Sequence, residues 1–322
     1  MYPEVPVPFL LKRGLASIHT PGRHLIFVKD PHDLTVGYRP IDIQFQVIGC
    51  PPLAPAMREV WTNRYEMKFS QGVRRNGTLI GTQGPKQTDG RLRLPIFQTN
   101  FLDWQLTLPW GDKFDSVLDT SSLRPPLDMH CVPITQDGYL LYVERETQRM
   151  TWPNSILCFH SFGYDKDLDG TQEIVLKEMG EDHGYAIFKQ AQLGVLREFN
   201  PFEATLLKPH QVRIRNMSCL TLHARPVDYG WHFCFVAEVA GDSKELLEKR
   251  AAYPCLGRIS SYHRWPFSEA DMVEFFWKYA DTVATTIEPA IIMACVQSFG
   301  PEFLKALPYN CHILNDQTEA AP

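Results

Sequence analysis

Apolar residues follow two rhythms along this chain. Up to about residue 125 they come in short runs: "HLIFVK" and "IDIQFQVIG", partly β-branched, and "YEMKFSQG" and "RLRLPIF", which alternate with polar residues. Turn signals such as "RRNGTLIG" and "QTDGR" separate them. This pattern predicts a β-rich N-terminal module over residues 1–125, ending in the linker-like "LDTSSLRPPLDMH". Beyond it, "HCVPITQDGYLLYVERE" reads as two strands, 130–146, around a Gln-Asp-Gly turn. A helix is expected over Thr171–His183, then strands at "RNMSCLTLHARP" and "GWHFCFVAEVA". "SKELLEKRAAY" reads as a short helix. The apolar spacing of "MVEFFWKYADTVATTIEPAIIMACVQSFG" is helical, with Pro289 marking a break or a new start. The expected architecture is α/β: a mixed sheet sandwiched by helices over residues 126–305, preceded by the β-rich module and followed by a tail, 306–322.

The Thr171–His183 helix is the most informative segment. At 100° per residue, Ile174, Glu178, Glu181 and Asp182 fall within an arc of roughly 100°. Val175, Leu176, Met179 and His183 occupy a broadly opposite arc. Gly184 is placed to take the left-handed conformation that ends a helix. Asp169 can cap the other end, with Gln172 three residues on. An acidic, solvated helix face accounts for this pattern. Yet Glu178 and Asp182 oppose the helix dipole and repel one another four residues apart, a cost that a bound divalent cation would offset.

The run "GYDKDLDGTQEIVLKEMGEDHGY" resembles the signature of the Nudix hydrolases: a glycine, five residues, an acid, seven residues, then Arg-Glu-apolar-any-Glu-Glu-any-Gly-apolar. Those places fall on Gly163, Asp169, Lys177, Glu178, Met179, Glu181, Asp182, Gly184 and Tyr185, with every spacing kept. Asp169, Lys177 and Asp182 replace glutamate, arginine and glutamate, and Phe162 stands where paired glycines are common. The resemblance implies a Nudix-type fold over about residues 128–290 and hydrolysis of a diphosphate linkage with Mg2+ or Mn2+. Glu178, Glu181 and Asp182 would be the metal carboxylates, and Glu178 or Glu181 would position or deprotonate the attacking water. Lys177 would brace the carboxylates, Gly163 would shape the loop, and Asp169 would serve as a cap or sit beside the metal. The implied partner is a small organic diphosphate. A homodimer is in keeping with the family. The substitutions equally suit a Nudix fold used for ligand binding, regulation or rearrangement.

Six further residues could join such a site. Glu238 could be another acid or a solvated strand-end glutamate. His160 could touch substrate or simply hold its loop. Arg213 and Arg215, alternating along a strand, could meet a diphosphate or form a salt-bridged face. Trp104 and Trp110 could stack on a ligand or join the module to its neighbour.

Composition narrows the classes. Hydrophobic residues make up 44% and charged residues 21% of 322, as in a folded globular protein. A formal charge of -5 argues against a nucleic-acid polymer as partner. No apolar run reaches bilayer length, and no clean cleavage pattern follows the proline-interrupted start, which suggests a cytoplasmic protein without membrane partners. The 8 cysteines form no CxxC pair and read as reduced core thiols.

Overall fold

The computed structural model describes residues 17–20, 24–52, 78–82, 84–88, 90–100, 127–145, 156–157, 159–160, 184–200, 204–223, 230–254, 259–284 and 286–314, with isolated positions 59, 62, 63 and 66. Its strands are β1 (Ser17–Thr20), β2 (His24–Phe27), β3 (Ile43–Val47), β4 (Thr78–Thr82), β5 (Lys86–Thr88), β6 (Arg91–Asn100), β7 (Leu127–Thr135), β8 (Tyr139–Arg145), β9 (Ile156–Leu157), β10 (Phe159–His160), β11 (Val212–His223), β12 (Trp231–Val239), β13 (Ile259–Pro266) and β14 (His312–Leu314). Helices are α1 (Tyr185–Phe199), α2 (Ser243–Ala251), α3 (Glu269–Tyr279) and α4 (Glu288–Phe299).

A mixed α/β architecture results. The large sheet runs β13-β8-β7-β12-β11-β2-β1-β14, with β10 also on β7 and β9 also on β8. Within it β7 and β12 are parallel, while the other described pairings are antiparallel. The small sheet is β3-β6-β4, with β5 also on β6. Strand alternation sends side chains to two cores. Met129, Cys131, Phe233 and Phe235 pack with α1 and the small sheet. Val132, Cys234 and Val236 pack with α3 and α4 on the opposite face. Helix α4 is buried nearly all round from Glu288 to Val296, as a helix enclosed on every side must be.

Pairings cross the expected boundary near residue 125. Strand β2 pairs with β11, Leu25 opposite Leu222, and β1 pairs with β14, Ile18 opposite Ile313. The early strands and part of the expected tail therefore complete the large sheet. Tyr38 links the layers: its backbone bridges to Met217, and its hydroxyl donates to Gln87 Oε1 at 2.9 Å. Among the described residues no helix is long and apolar enough to cross a membrane.

Helix α1 corrects the sequence reading, which went directly from a helix ending at His183 to strands. Its buried positions, Ala186, Ile187, Ala191, Gly194, Val195, Leu196 and Phe199, recur at helical spacing. Several are small, which lets the helix lie close to the sheet; the Cys131 thiol donates to the Ala191 carbonyl at 3.5 Å. Gly184 does adopt a left-handed conformation, φ 95°, but it is seen at the start of α1. A Cβ there would lie 2.8 Å from the Pro40 carbonyl oxygen and 2.9 Å from Ile43 Cβ, so glycine is required both by dihedral and by space.

Candidate metal centre

The two central parallel strands set Asp128 opposite His232 and His130 opposite Cys234. Residues two apart on a strand share a face, so Asp128, His130 and His232 stand together on the α4 side. Both histidines are buried, at 1% and 5% exposure. Asp128 is half-buried, and its Oδ1 accepts from the Met129 backbone N–H at 2.8 Å, which fixes the carboxylate.

His130 Nε2 lies 3.1 Å from His232 Nδ1. The ring centroids are 5.0 Å apart and the planes differ by 23°. The rings are near-parallel and offset, with the two nitrogens in hydrogen-bond reach, so one N–H donates and the other nitrogen accepts. Asp128 Oδ2 is 3.9 Å from His232 Nδ1. One ligand atom from each of the three residues fits within 4.8 Å of the others. Two imidazoles and a carboxylate form a donor set for a divalent metal, and oxygen-only preference is not what such a set serves.

Next along the same face, Cys219 stands opposite Cys234. Burial pushes the Cys219 thiol well above its ordinary pKa, and the neighbouring Cys234 thiol adds to this, so it is held as a neutral core group. Strand β10 pairs His160 with His130 in register, which sets the His160 backbone beside that of His130.

The remaining expected site residues fall as follows. Gly163, Asp169, Lys177, Glu178, Glu181 and Asp182 lie outside the described residues, as do Phe162, Trp104 and Trp110. Arg213 stands opposite Glu238 and donates to its carboxylate, Nε to Oε2 at 2.8 Å. Arg215, at a bulge in β11, donates to Gln297 of α4 at 3.3 Å. Desolvation lowers its pKa, Glu238 opposing this and Arg213 adding to it. These three charged groups do gather, as a salt-bridged sheet face. Glu238 is six residues along β12 from His232, roughly 20 Å at strand rise, so it belongs to the other end of the sheet.

A second cluster was invisible in sequence. Ser261 and His263 on β13 meet Glu144 on β8: the Ser261 hydroxyl is 2.7 Å from His263 Nε2 and donates to Glu144 Oε2 at 3.1 Å. A nucleophilic triad needs the histidine between serine and acid, one ring nitrogen for each. Here the same Nε2 faces both, 3.5 Å from Glu144 Oε2, so the arrangement closes a polar edge and does not activate the serine.

The Asp128–His130–His232 group was missed because "LDMH" has the composition of a linker and its third member is a distant histidine. The available signal was alternation, Asp128-x-His130 and His232-x-Cys234, within apolar runs. No protein-family model matches this chain, and no curated protein matches it.

Proposed function

We propose that the protein is a metal-dependent hydrolase of a diphosphate linkage in a nucleotide-like or other organic diphosphate. The observation that carries this reading is the unbroken Nudix-type spacing from Gly163 to Tyr185, with acids at Glu178, Glu181 and Asp182. Its flanks support it. The β7–β8 strand pair precedes the segment, β11 and β12 follow it, and Gly184 has the left-handed backbone the motif's glycine favours. Magnesium or manganese on these carboxylates would neutralise phosphate oxygens and lower the pKa of the attacking water. Lys177 would supply positive charge without arginine's planar fork. A cytoplasmic setting accords with the free thiols of Cys219 and Cys234.

The test is a panel of nucleoside, sugar, coenzyme and isoprenoid diphosphates, with and without Mn2+, using wild type and Glu181→Gln. Metal-dependent release of phosphate-bearing products, reduced roughly 100-fold or more by the substitution, is expected. Product formed without metal and unchanged in Glu181→Gln would overturn the mechanism. The shortened Asp182 and the Lys177 exchange favour one other reading, a fold that binds such ligands without cleaving them. Saturable binding of a panel member with no turnover would select that reading.

A further inference from the structure

We propose that Asp128, His130 and His232 form a binding site for a divalent late first-row metal ion, zinc or ferrous iron, separate from the carboxylates of the Gly163–Tyr185 segment. Three observations converge on it. The donor atoms come from two paired central strands, which hold their spacing more rigidly than loops do. Both imidazoles are buried on the sheet face that carries α4, and the half-buried carboxylate leaves a side toward solvent. The spacing also suits one ion: ligands at about 2.1 Å in a tetrahedral shell are about 3.4 Å apart. Two of the three separations, 3.1 Å and 3.9 Å, bracket that value, and all lie within 4.8 Å.

The structure also says what binding must change. In the His130–His232 hydrogen bond the two nitrogens meet at 3.1 Å across offset, near-parallel rings. An ion about 2.1 Å from both would stand roughly 1.4 Å to one side of the line joining them, so both lone pairs must be turned to that side. The shared N–H must also move to the other nitrogen of its own ring, because only an unprotonated nitrogen coordinates. Asp128 supplies the charge that makes the site favour a dication over a neutral guest. With three protein ligands, a tetrahedral ion keeps one position for water or another donor. Imidazole nitrogens make this a poor magnesium site, which distinguishes it from the oxygen-only set at Glu178, Glu181 and Asp182.

The experiment uses untagged full-length protein stripped with chelator, then titrated with Zn2+, Fe2+ (without oxygen), Co2+ or Mg2+. Readouts are bound metal per chain, calorimetry, and the visible spectrum of the Co2+ form. One Zn2+ or Fe2+ per chain is expected, with Mg2+ failing to compete and tetrahedral-type Co2+ bands. His232→Gln should weaken zinc binding by roughly 100-fold or more, and the isosteric Asp128→Asn by roughly tenfold. Cys50→Ser, which removes an exposed thiol, should leave it unchanged. Asp128→Asn decides the matter if His232→Gln does not fold. No stoichiometric binding, or binding unaltered in folded Asp128→Asn and His232→Gln, would overturn the proposal.

Discussion

Replacing Gly184 by alanine should cost about 3 kcal/mol of stability, a large share of the roughly 5–15 kcal/mol a folded domain holds. Two independent terms make up that figure. Placing an L-residue at φ 95° costs about 1–2 kcal/mol, since its Cβ crowds the backbone in the left-handed region. The second term is steric. The new Cβ would meet Pro40 O at 2.8 Å and Ile43 Cβ at 2.9 Å, and the carbonyl belongs to backbone that cannot swing away. Overpacking of this kind costs about 1–3 kcal/mol. Urea unfolding followed by far-UV circular dichroism measures the sum, provided the slope of the transition is unchanged. Ile43→Gly, made alone and together with Gly184→Ala, separates the terms. Removing the Ile43 Cβ should recover about 1 kcal/mol in the double-mutant cycle, leaving the dihedral cost and the Pro40 contact. A Gly184→Ala protein within 0.5 kcal/mol of wild type would refute the reasoning, because neither term could then be present.

Two further outcomes follow from buried or partly buried charge. Asp42 feels an upward push from burial, outweighed by hydrogen bonds from Arg39 and Lys29, so its pKa lies below the usual carboxylate value. Its stabilising contribution is therefore present above the unfolded-state pKa near 4 and fades as pH falls through the lower folded value. Asp42→Asn should cost about 2 kcal/mol at pH 7, with the gap to wild type narrowing below pH 4 in chemical unfolding; a gap that widens in acid would contradict this. Arg250 is fully buried and donates to the carbonyls of Glu198, Tyr253 and Pro254 and to the Tyr262 hydroxyl. Arg250→Met should lose about 2–4 kcal/mol by thermal or urea unfolding, and Arg250→Lys less; a neutral Arg250→Met would show these acceptors are served otherwise.

Local signals were the ones legible in the sequence. The Gln136-Asp137-Gly138 turn announces the β7–β8 hairpin because Gly138, at φ 78°, supplies what the turn needs. Pro289 opens α4 from its first turn, where its missing N–H costs nothing. Asp242 caps α2, accepting from the Glu245 N–H at 2.9 Å. Helix α1 was harder: Gly184 reads as the end of a helix, whereas it stands at the start of one, and Gly194 is among the small buried positions that let α1 approach the sheet. Strand partnership was not legible. Alternation shows that Asp128 and His130 share a face, but nothing local says that β12 will lie beside β7. The small sheet likewise pairs β3 with β6 in parallel across nearly fifty residues of intervening chain, a connection no turn signal encodes.

The parallel partnership of β7 and β12 carries a temporal consequence. His130 and His232 are 102 positions apart, so uniting them closes a loop worth on the order of 4 kcal/mol of chain entropy. A ribosome adding roughly 5–20 residues per second needs about 5–20 s to bridge that interval. Throughout it, Asp128 and His130 must wait on a half-built edge strand, and whatever chemistry the trio performs is withheld from the nascent chain until its middle has caught up with its past.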